Sequence, residues 1–151
     1  MAVDPDTLED PRLARSLMAN AVAKGQAELV LRCQVRLARL AGRAYEEPLE
    51  REFWTAVSVA EELATAENGK TTRLSRTRQK EKRVGARQCL IDWASDPGVT
   101  KGFELLVAGG HAELTGEAIV VRHADRFPAD VVTRAMEKLQ RHGVAMDAIT
   151  R

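Results

Sequence analysis

The feature that most restricts what this chain can fold into is its punctuation. Helix start and stop signals recur along it, and the runs between them carry apolar residues at three- and four-residue spacing. Asp10-Pro11 sets an N-capping side chain before a proline at the first helical position. Leu13, Leu17 and Ala21 follow on one face, and Gly25 after Lys24 closes that helix. A second helix starts near Gln26, carries Leu29, Cys33, Leu37 and Leu40, and stops near Gly42, so the two make an antiparallel hairpin. Pro48 opens the third and longest helix, with Glu46, Glu47 and Glu50 near its positive dipole end. Leu49, Phe53, Val57, Ala60 and Ala64 mark its stripe, Trp54 widens it, and Asn68-Gly69 ends it.

Thr71 or Thr72 is the expected cap of a fourth helix, which Gly85 breaks; a short fifth helix takes Cys89, Leu90 and Trp93 toward the core. Asp96-Pro97-Gly98 is a turn, and Thr100 caps a helix with Phe103 and Leu106 that ends at Gly109-Gly110. Leu114, Ala118 and Val121 mark a seventh helix. Ile119-Val120-Val121 alone would suit a strand, but Glu113 and Glu117 fall on one polar helical face. Pro128 starts the last helix, with Val132, Ala135, Met136 and Leu139 inward and Gly143 closing it. The expectation is an all-α bundle of seven or eight short helices, a hairpin at 10–44 packed on a helical core at 45–143. Residues 1–9 read as a flexible lead-in and 144–151 as a loosely held tail. The hairpin has no second copy, which argues against a solenoid.

At 151 residues and 44% apolar composition the chain suits one globular domain. With two Trp, one Tyr and three Phe, the core must come largely from Leu, Val and Ala, which favours closely approaching helices. No apolar run approaches the ~20 residues that span a bilayer, and MAVDPDTLEDP lacks the basic start and apolar run of a signal peptide. Cys33 and Cys89 sit in apolar helical patterns and read as buried thiols of a reducing compartment. A cytoplasmic, bacterial-type protein without a membrane partner is the expectation.

Charge is distributed unevenly. The formal net charge is only +1, yet Lys70, Arg73, Arg76, Arg78, Lys80, Lys82, Arg83 and Arg87 lie in one stretch with a single acid, Glu81. At ~100° per residue, Arg73, Arg76, Lys80, Arg83 and, if the helix continued, Arg87 cluster on one side, while Arg78 and Lys82 face the other way. Like charges at i,i+3 and i,i+4 cost roughly 0.2–0.5 kcal/mol per pair, so the stripe calls for anions. Glu46, Glu47, Glu50, Glu61, Glu62 or Glu67 could supply them from within, and phosphates could supply them from outside. Arginine outnumbers lysine in the stretch, and a guanidinium fork suits phosphate. Thr71, Thr72, Ser75 and Thr77 add hydroxyls, and the helix N-terminus adds free N–H groups. The candidate nucleic-acid-binding set is therefore Lys70, Thr72, Arg73, Arg76, Arg78, Lys80, Arg83 and Arg87.

Other motifs carry less. No aromatic interleaves the basic stretch, as stacking on single strands would want. Gly85 with Leu90 and Ile91 fits a helix-turn-helix loosely, but Lys80 and Glu81 occupy places usually held by apolar and small residues. Residues 86–94 are also poor in base-reading side chains, so duplex contact should run through the backbone. Gly69-Lys70-Thr71 mimics the end of a P-loop, but Ala64 stands where the first glycine belongs and a helix precedes it. His111, His123 and His142 lack partners at zinc spacing. A metal-dependent hydrolase assembled from Glu113, Glu117, His123 and Asp125 is less economical than a polar face and a capped turn. Neither cysteine has a basic flank suited to a reactive thiolate, and no serine sits in a nucleophile elbow. No catalytic residue, metal or cofactor is assigned, and no reaction follows from the sequence.

The residues FWTAV, NGKTTRLSRT, Arg83, Gly85, GFELL, LTGEAIVVRH and Phe127 fall between Glu52 and Phe127. Through them the chain resembles a group of small uncharacterised proteobacterial proteins. The resemblance brings no activity, ligand or fold; it implies that the last two-thirds form a unit to which the N-terminal hairpin is attached.

Two functional expectations follow. The first is a nucleic-acid-binding accessory or regulatory protein, DNA before RNA, docking the basic helix on phosphates. The second is a protein-interaction module, an inhibitor or adaptor, that meets an acidic partner with the same helix.

Overall fold

Local signals set the helix boundaries of the computed structural model, which describes residues 3–150. Asp10 caps α1 (Pro11–Ala23), its carboxylate accepting the Arg12 N–H at 2.9 Å. The chain turns at Gly25 into α2 (Ala27–Gly42). Glu47, expected only as a dipole charge, is the N-cap of α3 (Pro48–Asn68), accepting the Glu50 N–H at 2.8 Å. α4 (Ser75–Ser95) carries the basic segment and is interrupted at Gly85. Thr100 caps α5 (Lys101–Ala108), and Thr115 caps α6 (Gly116–Arg122) after a 3-10 turn at Ala112–Leu114. α7 (Ala129–Arg141) follows Pro128. The described residues contain no strand, and the fold is all-α. None of their helices is long and apolar enough to cross a membrane.

α3 runs through the core. Phe53 and Val57 meet Cys89 and Leu90 of α4, Ile119 and Val120 of α6, and Val131 and Ala135 of α7. Further along, Val59 and Leu63 pack with Val35 and Ala38 of α2, Leu106 of α5 and Leu114. α6 is short but buried along Gly116–Val120, the hub on which α3, α4 and α7 converge. Phe53 stacks on Trp93 at 5.4 Å and meets Trp54 edge-on at 5.1 Å, so both tryptophans serve packing.

α2 is a core element rather than an attachment. Its Cys33–Ala38 run is buried, and its last residue touches α3 where a side chain would not fit. A Cβ on Gly42 would lie 2.0 Å from Thr55 Oγ1, a hydroxyl fixed by donating to Arg51 O at 2.8 Å.

Several sequence expectations shift here. Leu13 is exposed, because α1 turns Ala14 inward beside the expected Ala21. In α7 the buried positions are Val131, Ala135, Lys138 and Leu139, with Val132 and Met136 only partly covered. The lead-in is docked: Pro5 is buried, Arg36 Nε donates to Leu8 O at 2.7 Å, and Asp4 and Glu9 pair with Arg32, Arg36 and Arg43. The tail is docked too, with Val144 and Ile149 in the core and Ile149 O accepting from Arg122 at 3.1 Å. Met1 and Ala2 of the lead-in, and Arg151 of the tail, lie outside the described residues.

The helix at residues 116–122 was expected for a reason that fails. Glu113 precedes it, in the 3-10 turn, and pairs with Arg39. Glu117 faces inward and accepts from Lys138 Nζ at 2.9 Å, an ion pair almost closed to solvent. Lys138 also donates to Trp93 O at 3.0 Å, so the buried ammonium is held by two acceptors.

Candidate nucleic-acid interface

The basic segment starts in the loop after α3 and fills the first part of α4. Gly85 has φ 88° and ψ 167°, a backbone state that only glycine adopts without strain. It divides α4 into a limb at residues 75–84 and a limb at 86–95. Lys80 of the first limb pairs with Asp92 of the second, whose other oxygen accepts from Gln88 Nε2 at 3.0 Å. Twelve positions of unbroken helix would hold Lys80 and Asp92 about 18 Å apart along the axis. The limbs therefore bend toward one another at Gly85.

One residue of α3 anchors the first limb. Glu61 accepts the Leu74 N–H at 2.9 Å and a two-pronged pair of bonds from Arg78, each 2.7 Å. Arg78 also lies over the Trp54 ring, 5.3 Å from its centroid. Burial alone would raise the Glu61 carboxyl, but the Arg78 and Leu74 bonds outweigh it and hold the carboxyl below its usual range. This corrects the expected cap: neither Thr71 nor Thr72 caps α4, whose N-cap position is Leu74 without a side-chain bond. Thr72 serves the loop. Its N–H donates to Thr65 Oγ1 at 2.9 Å, and its hydroxyl donates to Lys70 O and accepts from Asn68 Nδ2, both at 3.0 Å. That hydroxyl has no proton left for a phosphate.

The expected stripe is rearranged. Of the eight cations between Lys70 and Arg87, Arg78 and Lys80 are neutralised within the protein. Lys70, Arg73, Arg76, Lys82, Arg83 and Arg87 are exposed and have no carboxylate partner among the described residues. Lys82, read from the wheel as facing away, belongs with the exposed set. The phase of the limb is fixed by Leu74 and Arg78 on α3, not by the closest clustering of cations. Arg76 and Arg83 are about 10 Å apart along the helix and about 20° apart around it. Arg87 is positioned rather than neutralised, with Nε donating to Arg126 O at 2.7 Å and its guanidinium over Phe127.

Three of the six glutamates that could have cancelled this charge are engaged elsewhere. Glu62 pairs with Arg15, Glu67 with Lys101 and Glu47 with Arg126; only Glu61 meets the basic segment. The second limb does not offer a groove-reading helix, because Ala86, Cys89, Leu90 and Ala94 are buried against α6 and α7. Residues of the hydrolase alternative are tied to separate partners, His123 to Glu52, Glu113 to Arg39 and Glu117 to Lys138. Burial pushes both cysteine thiols up, away from the reactive thiolate.

Compared with protein-family models, curated proteins and solved structures, the chain has no significant match.

Proposed function

We propose that this protein is a nucleic-acid-binding accessory or regulatory factor that docks the exposed cations of α4 and its leading loop on phosphates, DNA before RNA. The observation that carries the reading is the surplus of unneutralised charge: Lys70, Arg73, Arg76, Lys82, Arg83 and Arg87 have no carboxylate partner among the described residues, while Glu47, Glu62 and Glu67 pair elsewhere. A chain of nearly zero net charge that leaves its cations together, on a limb tethered rather than buried, is built to meet an external anion. With the second limb buried, the contacts are to backbone and carry little sequence preference. The two buried free thiols suit a reducing compartment, and we assign the activity to the cytoplasm.

An acidic protein surface is the second reading. Val84, 47% exposed beside Arg83, favours it, since an isopropyl group gains nothing from a phosphate chain.

Fluorescence anisotropy with labelled duplex DNA, single-stranded DNA and RNA across a salt series tests the proposal. Wild type should bind duplex with a steep salt dependence. The Arg76→Ala/Arg83→Ala variant should flatten the log–log slope by about 1.8, roughly 0.9 for each phosphate released. Lys80→Ala should leave the slope unchanged. Absence of binding at low salt by folded protein, or an unchanged slope in the double variant, rejects the proposal; a nuclease-resistant complex with an acidic protein then moves the second reading to the front.

A further inference from the structure

Five arginines outside the basic segment form a second group that no local run announces. Arg36, Arg39 and Arg43 recur on one side of α2, and with Arg51 of α3 and Arg122 of α6 they line a single cavity of about 780 Å³. That volume lies within the roughly 300–1,000 Å³ typical of small-molecule sites. Two carboxylates, Glu52 and Glu113, share the walls and a third, Glu9, pairs with Arg36 and Arg43, so five arginines meet three glutamates and a formal surplus of two positive charges remains. Leu114 and Ile119 contribute apolar floor.

The five guanidiniums divide into fixed and available. Arg36, only 8% exposed, donates to Leu8 O and Glu9, and Arg122 donates to Glu52 and Ile149 O. These two hold the lead-in and tail in place. Arg51 bonds only through Nε, to Tyr45 O at 2.8 Å. Arg39 bonds only through Nη2, to Glu113 at 3.2 Å, and Arg43 only through Nη1, to Glu9. Among the described residues, both terminal nitrogens of Arg51 and two nitrogens each of Arg39 and Arg43 have no protein acceptor. Two planar donor forks, Nη1/Nη2 of Arg51 and Nε/Nη2 of Arg43, thus border one concave site with excess positive charge, and Arg39 adds single N–H donors.

We propose that this cavity binds a small phosphorylated ligand carrying at least a diphosphate group. The guanidinium fork matches the spacing of phosphate oxygens, and two linked phosphates supply the charge that the walls lack. Two such forks beside the Arg39 donors suit a compact, multiply charged anion better than an isolated carboxylate. None of the cavity residues belongs to the basic segment, so this site stands or falls apart from the α4 surface.

Calorimetric titration of the full-length protein with inorganic pyrophosphate, alongside citrate as a polycarboxylate of similar charge, tests the proposal. Pyrophosphate should bind saturably at one site and more tightly than citrate. Arg39→Met/Arg51→Met should raise its Kd at least about tenfold, the loss expected for hydrogen bonds to a charged group. Arg51→Lys, which keeps the charge and removes the fork, should weaken binding by a smaller factor, and it decides the matter if the double variant does not fold. Arg76→Ala/Arg83→Ala should bind as wild type does. The proposal is overturned if pyrophosphate shows no saturable binding or citrate binds equally well. It is also overturned if affinity falls with the α4 variant and not with the cavity variants.

Discussion

The two limbs of α4 are joined at one glycine and held in opposite ways. The limb at 86–95 is locked by burial, with Cys89 and Leu90 set between α3, α6 and α7. The limb at 75–84 buries little and is held by Glu61, Trp54 and Asp92 through polar and cation–π contacts. Apolar burial fixes an element from one side and leaves little to offer a ligand, here Arg87 alone among the cations of the second limb. A few charged tethers on one side leave the rest of the circumference free, and that is where Arg76, Lys82 and Arg83 stand.

The strongest way to break the contrast is Leu90→Ala in the buried limb, which should cost about 2–5 kcal/mol in urea unfolding through lost contacts and a residual cavity. Gly85→Ala comes next. A Cβ would meet no atom within 4 Å, so its expected cost of about 1–3 kcal/mol is backbone strain, and it should loosen the Lys80–Asp92 pair. Glu61→Gln should cost about 1 kcal/mol at neutral pH, with faster hydrogen exchange confined to the first limb. Its pH dependence has a definite sign. The folded Glu61 carboxyl titrates below its unfolded value, so its contribution is fully present above the unfolded value and disappears as pH falls through the folded one. Wild type and variant should therefore converge in stability in acid. The smallest effect sharpens the contrast most. Arg76→Ala/Arg83→Ala should change stability by less than about 0.5 kcal/mol while flattening the log–log salt slope of binding by about 1.8.

Where structure followed chemistry local in sequence, it was legible. Asp10-Pro11, Thr100 and Gly85 each mark a boundary through bonds or angles set within a few residues. Where the partner came from far along the chain, the sequence misled. The N-terminal end of α4 is tied by Glu61, thirteen residues earlier, so the nearby threonines looked like caps and are not. Glu117 looked solvent-facing because Lys138, which neutralises it, belongs to another helix. The lead-in and tail looked loose because Arg36 and Arg122, which hold them, lie in α2 and α6. Within the basic segment the residue types were readable. Which cations stay unpaired depended on the phase of a helix packed against α3, and that phase moved Lys80 inward and Lys82 outward. The arginine-lined cavity had no signature, since its members run from Arg36 to Arg122 without a local cluster that includes all of them.

The position of α6 also governs when this chain can fold. α3 ends at Asn68, and α6, which completes the core around Phe53 and Val57, begins 48 positions later at Gly116. At about 5–20 residues per second, roughly 2–10 s of synthesis separate the two helices. Throughout that interval the nascent α3 has no α6 or α7 to cover it, and Glu52 has neither Arg122 nor His123. The first half of the molecule must therefore wait on the ribosome, its apolar stripe open to chaperones, for a seven-residue helix made late.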